Sequence, residues 1–228
     1  GFGIYRSEGL VQYFDDHELW NDIGYEVVSG EPSPGEHVVL QRSAEATPNF
    51  FARLLEPNDA LSWQKFASKP EQYDWIVEQI FKNINGDELE PDDILVVFPD
   101  PISFKSESAI LTQLLAAKGL QALQAGVSAS RDVFRVENHV TLSGIHRAKG
   151  NEAPMVYVAN ADQCADGHNL VNKRNTLFTA ITRSRAWARV TGVGSRMDIL
   201  TNELQSLKEH KYRLSFKVPT AEELESMR

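Results

Sequence analysis

Two short segments of this chain hold the kinds of side chain that bind phosphate and ribose. The first, residues 144–152, reads GIHRAKGNE, and the second, residues 177–185, reads LFTAITRSR. An arginine guanidinium is a planar fork of donors that matches phosphate oxygens, while a glutamate accepts hydrogen bonds from sugar hydroxyls. These residue types predict a site for a phosphate-bearing ligand.

The first segment runs from one predicted strand into the next. We expect it to cross the carboxyl edge of a sheet, where ligands of open α/β proteins bind. Gly144 and Gly150 would let the backbone approach a ligand closely. His146 can contact a phosphate, and Glu152 can accept hydrogen bonds from a sugar. The alternative interpretation is a surface loop of mixed charge without a ligand.

The second segment contains Arg183, in the last turn of a predicted helix that a predicted strand follows. A guanidinium directed at a terminal phosphate stabilises the charge that develops when the phosphoryl group is transferred. We therefore predict that Arg183 lies at the carboxyl edge of the sheet, close to Glu152, with a partly exposed head group. The alternative is that arginines here complement a helix C-terminus, a role that also suits Arg185 and Arg189.

Alternating strand and helix patterns must position the two segments. Strand patterns occur at His37–Arg42, Ile94–Phe98, Gln121–Ala125, Val140–Ile145, Met155–Ala159 and Ala186–Val193. Apolar residues at helical spacing predict helices from Pro70 through Phe81, at Ser106–Lys118 and at Asn172–Ser184, the last with Leu177, Phe178 and Ile181 on one face. Thr220 and Glu223 form a capping box that predicts a terminal helix. The alternation predicts an α/β fold, with a mainly parallel sheet and helices on both faces.

Charge is unevenly distributed along the chain. The formal net charge of −9 argues against nucleic-acid binding, but residues 135–196 hold nine Lys and Arg against four Asp and Glu. Both segments lie inside this basic stretch, so a local anion site is compatible with an acidic protein. The single cysteine, Cys164, excludes a disulfide framework within the chain and favours a reducing, cytoplasmic setting.

Together, the two segments resemble motifs V and VI of the UvrD-like helicases of superfamily one. In that family the first motif reads roughly T-x-H-x-A-K-G-x-E and the second roughly Y/F-V/T-A-x-T-R-A. The chain matches these patterns at His146, Ala148, Lys149, Gly150 and Glu152, and at Ala180, Thr182 and Arg183. The resemblance covers Pro70 to Gly194 and implies a RecA-like fold, related to the P-loop NTPases.

The resemblance implies roles for the residues on the nucleotide side. The second RecA-like domain of such a motor supplies an arginine finger to the γ-phosphate of ATP held by the first domain, and Arg183 matches that catalytic arginine. Glu152 matches a residue near the ribose. Gly150 and Lys149 belong to the same loop and are assigned to nucleotide binding with it.

On the nucleic-acid side, Gly144 and His146 fall where the family's loop approaches the single-stranded backbone. Gly144 stands where threonine is usual, which removes a hydroxyl that could bond the strand. Residues 99–101, Pro-Asp-Pro, stand where many relatives carry an arginine. The connection across residues 126–140 is short, so it lacks the large helical insertion of many relatives.

The sequence lacks a phosphate-cradling G-x-x-x-x-G-K-[ST] loop, and no acidic pair follows a strand as a magnesium site would. The resemblance therefore implies that ATP and Mg²⁺ are bound mainly by an N-terminal RecA-like domain outside this sequence, and we predict no metal ligands within it. The chain begins at Gly1 without a methionine, which we interpret as the cut end of a longer protein.

We predict that residues 1–228 form a single second RecA-like domain, with a variable part at 1–69, a motif-bearing core at 70–194 and an extension at 195–228. Its expected function is that of the C-terminal motor domain of an ATP-dependent DNA helicase. The expected partners are single-stranded DNA, with RNA also compatible, and the N-terminal domain; no apolar run is long enough to span a membrane. The alternative is a non-catalytic RecA-like module used for binding or regulation.

Overall fold

The computed structural model of the chain describes residues 18–46, 56–128, 130 and 132–226. The N-terminal residues that we interpreted as a cut end lie outside this part. The described residues form two compact units. One combines those before residue 55 with those after residue 202, and the other comprises those between. Within the described ranges, no helix is long and apolar enough to cross a membrane.

The smaller unit is a three-stranded antiparallel sheet with two short helices. Its elements are α1 (Glu18–Asp22), β1 (Tyr25–Gly30), β2 (His37–Arg42), β9 (Leu214–Lys217) and α8 (Ala221–Ser226), and the strand order is β1-β2-β9. Helix α8 begins with the predicted capping box, in which Thr220 N donates to the Glu223 carboxylate at 2.8 Å and Glu223 N donates to Thr220 Oγ1 at 3.3 Å.

The pairing of β2 with β9 brings together segments that are far apart in the sequence. Val38 lies opposite Phe216, so segments from the two ends of the described chain share one small core. The sequences of β2 and β9 do not predict that these strands pair. Hydrophobic periodicity indicates which face of a strand is buried, but not which strand lies beside it. The single domain with the ranges 1–69, 70–194 and 195–228 stays a prediction.

The larger unit is a six-stranded sheet in the order β3-β8-β7-β4-β6-β5. Its strands are β3 (Leu61–Phe66), β4 (Ile94–Phe98), β5 (Gln121–Gln124), β6 (His139–Gly144), β7 (Ala153–Val158) and β8 (Ser184–Val193). All neighbouring pairs are parallel. Strand β4 is buried at every position, as a strand covered on both faces must be. The predicted α/β fold with a parallel sheet is confirmed.

Helices connect the strands of this sheet, and a further helix follows β8 and continues past residue 202 into the smaller unit. They are α2 (Pro57–Ala60), α3 (Lys69–Gly86), α4 (Phe104–Ala117), α5 (Ile145–Ala148), α6 (Leu170–Ile181) and α7 (Gly194–Glu209), with 3-10 turns at Pro91–Asp93 and Ala161–Cys164. Helix α3 begins after Ser68, whose hydroxyl accepts a hydrogen bond from Glu71 N. The main core joins α3 and α4 to the sheet through Tyr73, Ile76, Val77, Ile80, Leu111, Leu115, Ile94, Val96 and Phe98.

Helix α6 buries a narrower face than the sequence predicted. Leu177 and Ala180 are buried, whereas Phe178 is 67% exposed. The prediction that Phe178 packs on the same face as Leu177 is wrong. Consecutive residues of an α-helix point about 100° apart, so a helix that turns Leu177 and Ala180 to the core turns Phe178 outward.

Candidate functional site

The first segment joins opposite edges of the sheet. Strand β6 ends at Gly144, which lies beside Phe98 at the carboxyl end of β4. The chain then makes the single helical turn α5 and enters β7 at Ala153. Gly144 and His146 therefore lie at the carboxyl edge, as expected for the start of the segment, whereas Glu152 lies at the amino edge.

Arg183 also lies at the amino edge, so its predicted location at the carboxyl edge is wrong. Helix α6 returns the chain from the carboxyl end of β7 to the start of β8, and Arg183 immediately precedes β8. Parallel strands all begin at one edge, so the residue before any of them lies there. The order helix, arginine, strand in the sequence already contained this information.

Glu152 and Arg183 are neighbours, as predicted. Ala153 N donates to the Arg183 carbonyl oxygen at 2.9 Å, and Ala153 pairs with Ser184 in the ladder between β7 and β8. Glu152 and Arg183 therefore precede paired residues on adjacent strands. The sheet brings the ends of the two segments together.

The Arg183 guanidinium is held by its own helix and is half-buried. Its Nε donates to the Thr179 carbonyl oxygen at 3.1 Å, and Nη2 donates to the Thr182 hydroxyl at 3.4 Å. Among the described residues it forms no ion pair with a carboxylate. These bonds use two of the five N–H donors of an arginine. The contact with the Thr179 carbonyl also agrees with a cation that complements a helix C-terminus.

Two further arginines contact Glu152. Arg135 Nη2 donates to the Glu152 carbonyl oxygen at 2.6 Å, and Arg185 Nε lies 3.7 Å from Glu152 Oε2. The Arg185 and Glu152 side chains are 63% and 48% exposed, and such an exposed ion pair is weak. Arg135 was not predicted as part of the site, because it lies in a connection without a motif, and Arg185 was predicted only as a cation at a helix end.

The two glycines of the first segment differ in whether their backbone conformation requires a residue without a side chain. Gly150 has a φ of +89°, which residues with a side chain rarely adopt. Gly144 has a φ of −72° and a ψ of 154°, and a Cβ there would lie 3.5 Å from the Phe104 ring. His146 and Lys149 are exposed. The backbone therefore requires glycine at position 150 but not at position 144.

A buried polar network at the carboxyl edge was not predicted from the sequence. Lys69 and Tyr73 of α3 both donate to the Glu107 carboxylate of α4, and Asn160 Nδ2 donates to the Tyr73 hydroxyl at 2.8 Å. Burial and the adjacent Glu107 carboxylate raise the pKa of Tyr73 above its usual value. The network links α3 and α4 to the end of β7, and its members are too scattered in the sequence to form a motif.

The described part of the chain contains no group of three or more His, Cys, Asp or Glu side chains placed to hold a metal ion. Cys164 is buried, and burial raises the pKa of its thiol to about 11. The thiol is therefore neutral near pH 7, which suits a packed residue and not a nucleophile.

Residues 139–191 match the family model of the UvrD-like helicase C-terminal domain. The matched stretch begins with β6 and ends within β8, so it contains both segments. This part of the chain is therefore similar to the C-terminal domain of UvrD-like helicases. The resemblance stated from the sequence is thereby confirmed.

The chain also resembles a solved structure, the C-terminal domain of a possible DNA helicase from Lactobacillus plantarum WCFS1. The two are 21% identical, the match covers 60% of this chain and 76% of that one, and the TM-score is 0.46. No curated protein matches the chain.

Proposed function

We propose that this chain acts as the second motor domain of an ATP-dependent superfamily-one helicase. Arg183 reaches the γ-phosphate of an ATP held by another RecA-like domain, and Glu152 bonds the ribose. The observation that carries the proposal is the hydrogen bond between Ala153 and Arg183, because it joins the ends of both motifs at one edge. A module that binds no nucleotide would not need both residues in one place.

The side chains at this edge suit a nucleotide. The ion pair between Glu152 and Arg185 is exposed and weak. Ribose hydroxyls can therefore replace Arg185 as the hydrogen-bond partners of the Glu152 carboxylate. Lys149 is exposed beside Gly150 and adds attraction for phosphate. Arg183 then stabilises the charge on the transferring phosphoryl group. Bound ATP supplies the bond that is broken, and Mg²⁺ held by the other domain neutralises its phosphate oxygens.

Gly144 and His146 are proposed to contact single-stranded DNA, or RNA, at the carboxyl edge. Supporting this, His146 is exposed, and residues 135–196 carry a net positive charge on an acidic chain. Nucleotide and nucleic acid then occupy opposite edges of one sheet, so they do not compete for the same side chains.

The chain alone provides the first test. The purified 228-residue chain should not hydrolyse ATP, because an arginine finger cannot act without the loop and Mg²⁺ ligands that hold the phosphates. Hydrolysis stimulated by nucleic acid, in a preparation free of contaminating ATPase, would contradict the proposal. Adding or fusing the N-terminal RecA-like domain of the same protein should produce hydrolysis that depends on Arg183. Hydrolysis that is indifferent to Arg183 would favour the non-catalytic module.

A further inference from the structure

A groove lies at the carboxyl edge where the chain reverses its direction across the sheet. After β4 the chain moves through α4 towards β5, whereas after β7 it moves the opposite way through α6 to β8. Strands β4 and β7 are neighbours, so their outgoing connections diverge and leave a crevice between them. In open α/β sheets, ligands bind in the crevice at such a switch point.

The groove has both polar and apolar walls and a volume of about 350 Å³. Residues 99–101, which follow β4, form one wall. The rest is lined by Gln163 and Cys164 from the turn after β7, Lys173 and Thr176 from α6, and Arg196 from α7. Two cations and two neutral hydrogen-bonding groups therefore face a single open space. Such a set suits an oxyanion, since every one of these side chains can donate a hydrogen bond.

A single acidic residue, Asp166, already contacts both cations. Arg196 Nε lies 3.1 Å from Asp166 Oδ1, and Lys173 Nζ donates to the Asp166 carbonyl oxygen. The Arg196 and Asp166 side chains are 58% and 41% exposed, so this ion pair is weak enough to exchange for another anion. Asp100 also lines the groove, and its carboxylate oxygens accept hydrogen bonds from Ile102 N and Ser103 N at 3.0 and 3.1 Å.

We infer that this groove binds a backbone phosphate of single-stranded nucleic acid through Lys173 and Arg196, and that the Asp166 carboxylate competes with that phosphate for Arg196. The inference rests on the proposed function for the identity of the ligand. The groove is continuous with the proposed nucleic-acid contacts, because Phe98 lies beside Gly144 and leads directly into the wall at 99–101. Neighbouring strands are about 4.8 Å apart, so a strand extended along this edge contacts both places.

Binding of a fluorescein-labelled oligothymidylate to the 228-residue chain, measured by anisotropy over a range of salt concentrations, tests the inference. Lys173→Gln combined with Arg196→Gln should weaken binding about tenfold or more at low salt. It should also reduce the salt slope by about 0.7 for each phosphate that the protein no longer neutralises. Asp166→Asn should tighten binding several-fold, since it removes the competing charge. Lys118→Gln is the matched control, because it removes a cation paired with Glu78 away from the groove, and it should change neither quantity.

Two further measurements distinguish the effect of the charge at position 196 from that of the guanidinium geometry, and loss of binding from loss of folding. Arg196→Lys keeps the charge but loses the fork, so it should lose less affinity than Arg196→Gln. Circular dichroism melting must show that each variant is folded. If folded Lys173 and Arg196 variants bind like the Lys118→Gln control, or if Asp166→Asn fails to tighten binding, the inference is overturned.

Competition at constant ionic strength identifies the source of the phosphate. Unlabelled oligothymidylate should displace the probe at far lower concentration than inorganic phosphate or ATP. Equal displacement by either small anion would make the groove a small-anion site and overturn the assignment to a strand. His146→Ala separates this inference from the proposed function: if it weakens binding while the groove variants do not, the groove is excluded and the proposed function stands.

Discussion

At the scale of single residues, the proposed role of Arg183 makes the most specific prediction. In a motor that includes the nucleotide-holding domain, Arg183→Ala should lower ATP turnover by about a thousandfold or more and leave ATP binding largely unchanged. The guanidinium meets charge that develops only during transfer, so its loss affects turnover more than affinity. Arg183→Lys should fail almost as badly, because a point charge cannot reproduce the fork. Steady-state hydrolysis and nucleotide titration measure the two effects.

Arg185→Ala is the matched control for this experiment. Arg185 is the same residue type two positions on, and its exposed pair with Glu152 is worth at most about 1 kcal/mol. Its loss should therefore change turnover by less than about fivefold. A normal rate for Arg183→Ala, or equal losses for both variants, would refute the specific role of Arg183.

The two glycines of the first segment should respond differently to alanine. Gly150→Ala forces a side chain into a positive φ and should lower the free energy of unfolding by about 1–2 kcal/mol. Gly144→Ala should change it by less than about 1 kcal/mol, because the backbone there is ordinary and the new methyl group would meet Phe104 at a normal contact distance. Urea denaturation of both variants decides the matter, and equal losses would contradict the assigned backbone conformations.

At the scale of elements, substitutions at two adjacent positions of helix α6 test which of its faces is buried. Leu177 is 6% exposed and Phe178 67%. Leu177→Ala should cost about 2–5 kcal/mol of unfolding free energy through the cavity it leaves. Phe178→Gln should stay within about 0.5 kcal/mol, as surface substitutions usually do. A large loss for Phe178→Gln in the isolated chain would mean that the helix is turned differently.

The 3-10 turn that contains Cys164 should protect its thiol. With the pKa of Cys164 raised to about 11 by burial, about one thiol in a thousand is ionised at pH 8. Alkylation by iodoacetamide should therefore be slower than that of a free cysteine by about a hundredfold or more, and unfolding in urea should abolish the difference. Rapid labelling of the folded chain would show that the turn is open.

Elements were predictable where the signal is local. The apolar run of β4 and the helical spacing in α3 depend on neighbouring residues alone, so the sequence reports them directly. The roles proposed for Glu152 and Arg183 came from motif resemblance, and their proximity was predicted correctly. The edge at which Arg183 lies was not, because motif reasoning assigned the ligand to the usual carboxyl edge without following the chain back to the start of a strand. Arg135 contacts Glu152 although the two are far apart in the sequence, and no local sequence pattern predicts such a contact.

At the scale of the whole molecule, the two units should differ in how they tolerate truncation. Removing the residues after 202 withdraws β9 and Phe216 from the smaller core, and two strands alone are marginally stable. The core around β4 lies wholly within the larger unit. In the truncated chain, amide exchange of Val38 should therefore become fast while that of Val96 stays protected. Loss of protection at both positions would mean that the units do not fold independently.

The segment from Gly144 to Glu152 begins at one edge of the sheet and ends at the other, with Ala148 of its single helical turn fully buried between them. If nucleotide and nucleic acid bind at the two ends as proposed, we expect a ligand that shifts one end of so short a connection to strain or relieve the other. Thermodynamic linkage then makes the effect reciprocal: by whatever factor a bound strand raises affinity for nucleotide, bound nucleotide raises affinity for the strand. Four dissociation constants around a closed cycle would measure this cooperativity.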